Sequence, residues 1–156
     1  MYHPYFRGKQ FELIAIRESA DLIASSSFIP IIEPVRESLG GLEKALRSIS
    51  DAGAQAIVVV NPRHGDHKEN GESIAALLDR EYRENDAIQA GILLTSETST
   101  EAAMAHLALH PAQGTALVHA GYTEPRALAD QLAEQLPDKV EAGTAEGLID
   151  TLPVRI

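Results

Sequence analysis

Within the segment NPRHGDH, His64, Asp66 and His67 are side chains of the types that hold zinc, manganese or iron, and two histidines with one carboxylate form a known iron-binding set. The segment follows directly on the apolar run AIVVV, so it stands where a buried strand gives way to a loop. A divalent metal bound there would support hydrolase or lyase chemistry. The spacing inside one glycine-containing loop matches no helix-borne or strand-borne metal motif, and the following KENGE is polar. A solvated strand end is therefore the alternative assignment.

Two further groups are of catalytic type. Glu33 interrupts the apolar run IIEPV, where an unpaired buried carboxylate would cost several kcal/mol. It is either paired with a cation such as Lys9 or Arg36, or used as a general base or metal ligand. His119 in LVHAGY also ends an apolar run, and serves either as a catalytic acid–base or as a backbone-bonded strand end. Arg7 and Lys9 flank a glycine and suggest recognition of a small anion; their alternative partners are Glu12, Glu33 and Glu37. Asn61 and Thr95 follow two of the apolar runs and complete the set of ligand-binding candidates.

Several motifs are missing. Neither the phosphate loop G-x4-G-K-[ST], nor G-x-G-x-x-G after a strand, nor G-x-S-x-G occurs. His106 and His110 lie four apart in EAAMAHLALH, a spacing that suits metal, but without a third ligand they read as a surface pair.

The elements that must position these residues follow from hydrophobic patterning. Apolar runs rich in β-branched residues at 28–35, 56–60, 88–94 and 115–118 read as strands buried on both faces, the mark of a parallel sheet. Between them Leu42, Ala45, Leu46 and Ile49, then Ile74, Leu77, Leu78 and Tyr82, keep helical spacing, and Leu128, Leu132 and Leu136 recur every four residues. Thr98 or Ser99 caps the helix of EAAMAHLAL, and Asp51-Ala52-Gly53 ends the helix that carries Leu42 to Ile49. Weaker units flank this series. A strand at 2–7 precedes one helix over about 8–24, and a strand at 139–142 precedes a short helix capped by Thr144 and reaching Leu152. The pattern predicts an α/β fold of five or six βα units around a parallel sheet, a partial TIM-barrel-like arrangement or, alternatively, an open doubly wound sheet. In either, ligands bind at the carboxyl ends of the strands, the rim to which Arg7, Lys9, Glu33, Asn61, His64, Asp66, His67, Thr95 and His119 all belong.

Composition narrows the partners. The 156 residues, 44% hydrophobic, are enough for a single domain spanning 1–156. The excess of 23 acidic over 13 basic residues, net charge -10, argues against general nucleic-acid binding, and 4% aromatics with no Trp leave no stacking platform. No cysteine is present, which removes disulfides and thiolate chemistry. No stretch is apolar enough for a membrane span and the first ten residues lack a signal-peptide core, so a cytoplasmic location is expected.

The segment MYHPYFRGKQFELIAIRE, followed by FIPIIEPV and VVVNP, resembles the N-terminal part of the bacterial and phage "beta protein" family and its uncharacterised bacterial relatives. That family begins on Tyr-x-Pro, then Leu-(Arg/Lys)-Gly-Lys-Gln-x-Glu, and carries a Pro-(Ile/Leu)-Ile-Glu strand. Here Arg7, Gly8, Lys9, Gln10 and Glu12 match and Phe6 replaces the common Leu. The likeness covers about the first 65 residues, beyond which only the strand–helix rhythm continues. It implies a TIM-barrel-like architecture in a longer protein, of which this chain would be the N-terminal part, with a phage-related or defence-related role. It implies no established activity.

Two functions are consistent with these readings. The first is a small-anion-binding rim in which Lys9 holds the ligand and Glu33 and His119 handle protons. The second is a non-catalytic interaction module in which Arg7, Lys9, Gln10 and Glu12 form a closed polar network with Glu33. An incomplete set of units leaves open sheet edges, so a homo-oligomer or an additional chain segment is expected to complete the sheet.

Overall fold

The apolar runs form a single parallel sheet. In a computed structural model, which describes residues 1–110, 114–135 and 148–149, the strands are β1 (Tyr5–Arg7), β2 (Ile31–Glu33), β3 (Ala56–Val59), β4 (Ile88–Thr95), β5 (Thr115–Ala120) and β6 (Leu148–Ile149). Their spatial order is β1-β2-β3-β4-β5-β6, each pair parallel. The helices are α1 (Gln10–Glu18), α2 (Ala20–Ser25), α3 (Gly40–Asp51), α4 (Glu72–Tyr82), α5 (Thr100–Leu109) and α6 (Pro125–Gln135).

This order bears on the two expected architectures. A doubly wound sheet reverses its strand order and carries helices on both faces, whereas a barrel adds strands in sequence and keeps its helices outside. Here the order never reverses. The larger core joins Leu13, Ile16, Leu42, Leu46, Ile49, Ile74, Leu78, Leu107 and Leu128 from the helices to Ile32, Val58, Ala90, Ile92, Leu94 and Leu117 from the strands. The opposite face carries a smaller cluster of Ile31, Ile57, Val59, Leu93, Ala116 and Val118, with no helical residue in it among the described residues. Those six side chains are buried all the same. They form one apolar layer on the inner face of the sheet. The chain is thus built on repeated βα units around one parallel sheet.

Several boundaries differ from the sequence reading. The first helix is two, because the chain leaves helical geometry at Ser19 (φ -105°, ψ 12°) before α2. Ser99, rather than Thr98, caps α5 by accepting a hydrogen bond from the Ala102 amide at 3.1 Å. Residues 139–142 lie outside the described ones. Leu148 and Ile149, expected in a helix, instead pair in parallel with Leu117 and Val118, where the edge of β5 offers a row of backbone partners. His110 is buried at the C-terminal cap of α5 rather than exposed, and burial holds His106 below the usual imidazole pKa.

Candidate functional site

Glu33 is the centre of the rim. It is the last residue of β2, and its register partner is Arg7 on β1, so both side chains leave the sheet on the inner face with Tyr5 and Ile31. Its carboxylate is 1% exposed. Such burial is tolerable only when every oxygen is engaged. One oxygen accepts the Arg63 amide at 2.7 Å and the His64 amide at 3.0 Å. The other accepts the Tyr5 hydroxyl at 2.9 Å. The His64 ring stands across both, its Nδ1 3.2 and 3.3 Å from them. A carboxylate that already accepts three hydrogen bonds leaves Nδ1 the donor's part, and the Nε2 edge of a ring whose side chain is 37% exposed carries the lone pair. Burial, and then the negative charge of Glu33 beside it, holds the Tyr5 phenol well above its ordinary pKa.

The loop after β3 is therefore built around Glu33, and the rest of NPRHGDH fastens it to the loop after β2. The Asp66 carboxylate accepts the Glu37 amide at 2.7 Å, and the Asp66 amide donates to the Val35 carbonyl at 3.1 Å. His67, buried, donates from Nε2 to the Arg36 carbonyl at 2.9 Å. Gly65 makes this approach possible. Its φ of +82° is left-handed, and a Cβ there would collide with the Val35 backbone. The expected metal set is accordingly not assembled. His64, Asp66 and His67 each turn to a different partner, and among the described residues no three histidine or acidic side chains gather as a metal requires.

The other expected site residues divide between the faces and the loops. Asn61 extends the β3–β4 ladder with its side chain: its amide nitrogen donates to the Leu93 carbonyl at 2.9 Å and its oxygen accepts the Leu93 amide at 2.7 Å. Thr95 shapes the following turn, accepting the Glu97 amide at 3.2 Å while its own amide donates to the Thr98 hydroxyl at 3.0 Å. His119 is adjacent in register to Leu94, whose side chain belongs to the helix-covered core. It therefore lies on the face opposite Glu33, with its ring 6.3 Å from that of Tyr122, and the expected Glu33–His119 pair does not form. Nearby, Thr100 bonds the Tyr122 hydroxyl at 2.8 Å and the Glu124 carboxylate at 3.0 Å.

Arg7 and Lys9 do not join the Glu33 network, and among the described residues neither makes an ion pair. Lys9 and Gln10 are exposed, so the closed network of Arg7, Lys9, Gln10 and Glu12 with Glu33 is replaced by one of Tyr5, Arg63 and His64. The two-residue alternation of β1 places Tyr5 and Arg7 on one face, and that was the available signal for Tyr5. The His64 contact spans 31 residues and carries no local signal. No described helix is long and apolar enough to cross a membrane. Comparisons with protein-family models, with curated proteins and with solved structures find no match to this chain.

Proposed function

We propose that the rim at the carboxyl ends of β1, β2 and β3 binds a small carboxylate- or phosphate-bearing molecule, with His64 as its proton-transfer group and Arg7 and Lys9 as the anion's counter-charges. The observation that carries this reading is the Glu33–His64 contact. A buried carboxylate that receives Nδ1 orients the imidazole and fixes its tautomer, which leaves Nε2 to exchange a proton with a ligand. Arg7 and Lys9 leave their charge available for a ligand on a chain that is otherwise strongly acidic.

Chemical-shift mapping with a panel of small carboxylates and phosphate esters tests it. At least one member is expected to perturb Arg7 and His64 together, with Arg7→Ala weakening that binding about tenfold or more. A panel that leaves both residues unmoved contradicts the proposal.

A second reading follows from how fully Glu33 is engaged: the network is a clasp that holds the loops after β2 and β3, and the protein is a non-catalytic interaction module. His64→Gln separates the two. A clasp loses stability and no ligand chemistry, whereas a proton-transfer centre keeps its ligand and loses turnover.

A further inference from the structure

The clasp has a consequence on the outer side of the sheet. By anchoring Val35, Arg36 and Glu37 through their backbones, the loop after β3 fixes where the Arg36 side chain starts. Arg36 borders a groove of about 290 Å³ between α1 and α3, lined by Gln10, Leu13, Ile14, Arg17, Arg36, Ser38, Gly41 and Lys44. Three of these eight residues are cationic and none is acidic, in a chain where acids outnumber bases 23 to 13. Arg17 is partly neutralised, since its guanidinium lies 2.9 Å from the Glu18 carboxylate. Arg36 and Lys44 make no ion pair among the described residues. Leu13 and Ile14 give the groove an apolar wall, and the Gln10 amide and Ser38 hydroxyl add neutral donors.

We propose that this groove is an anion-binding site, separate from the Glu33–His64 rim, that takes a compact phosphate-bearing molecule. The volume, near the roughly 300 Å³ lower end of small-molecule pockets, suits a phosphate with a few carbon atoms. The Arg36 guanidinium offers the fork geometry that grips two phosphate oxygens at once, and Lys44 supplies a second, mobile charge. The site is lined from the helix layer and the rim from the inner face of the sheet. Arg7 takes no part in the clasp, so its substitution is expected to leave the groove intact.

The test is titration of the full chain with inorganic pyrophosphate at constant ionic strength, followed by calorimetry and by chemical-shift mapping of the unsubstituted protein. Saturable binding is expected, with shifts at Ser38, Gly41 and Lys44. Arg36→Gln and Lys44→Gln, both at exposed positions that leave the core untouched, are each expected to weaken it about tenfold, while Arg7→Ala leaves the shifts at Ser38, Gly41 and Lys44 unchanged. No saturable binding, or binding indifferent to Arg36→Gln and Lys44→Gln, overturns the proposal. Binding lost in Arg7→Ala and retained in Arg36→Gln also overturns it, and assigns the anion to the rim instead. A groove that stays empty leaves the rim reading standing, because the two are read at different residues.

Discussion

The two halves of the rim solve the same problem differently. Around β2 and β3 a single buried carboxylate gathers a phenol, two amides and an imidazole from segments about thirty residues apart. Around β4 and β5 the polar groups are hydroxyls that bond mostly within a short loop, Thr95 with Thr98, with one longer link from Thr100 to Tyr122 and Glu124. Charge-assisted bonds to a desolvated carboxylate are about twice as strong as neutral ones, and removing their acceptor strands several donors at once. The first half is thus stiff and interdependent, and the second is a set of separable contacts. The half with the buried charge is also the half that leaves an imidazole edge facing outward.

Removing the charge should have the largest effect. Glu33→Ala strands the Arg63 and His64 amides and is expected to cost about 3–5 kcal/mol in denaturant unfolding. Hydrogen exchange should rise at Arg63, His64 and Asp66 and stay unchanged at Thr98. Gly65→Ala attacks the same half from its backbone, through a left-handed φ and a collision with Val35. A loss of about 3 kcal/mol with a displaced Asp66 is expected, checked by thermal unfolding and by the Glu37 amide shift.

Tyr5→Phe removes one donor to the carboxylate and is expected to cost about 2 kcal/mol near neutral pH. Its pH dependence sharpens the contrast. The folded-state pKa of Tyr5 lies above that of the unfolded chain, so the contribution is complete below about pH 10. Above that, the unfolded chain ionises first, and stability falls as pH rises. Tyr5→Phe should lose less stability than the parent between pH 9 and 11 on the same basis, a difference readable by urea unfolding. Smallest is the change on the other half. Thr100→Val breaks two neutral-donor contacts that water can replace, and about 1 kcal/mol is expected from thermal unfolding, with the Glu33 network undisturbed.

Particular residues show how much of this the sequence carried. β3, β4 and β5 were legible because unbroken apolar runs bounded by polar residues leave little choice of conformation, and Glu33 stood out because a carboxylate inside such a run demands partners. The identity of those partners was not legible. A strand buried on both faces shows no alternation, so nothing in LVHAGY tells that His119 points to the helices while Glu33 points inward. In sequence His64 reads as a metal ligand, because three metal-binding side chains close together resemble a site until the backbone turns each a different way. Charge alone pairs Lys9 with Glu33, yet the Tyr5 hydroxyl and two amides occupy the carboxylate instead. β6 escaped because two residues are too few for any periodicity.

The most direct test of the central claim, that Glu33 holds His64 by Nδ1 and frees Nε2, is the long-range proton–nitrogen NMR spectrum of the His64 ring in the parent protein and in Glu33→Gln. His64 is expected to be protonated on Nδ1 in the parent when neutral, and to revert towards the Nε2-protonated form of free histidine in the variant. A parent ring protonated on Nε2, or a tautomer unaltered by Glu33→Gln, would contradict it.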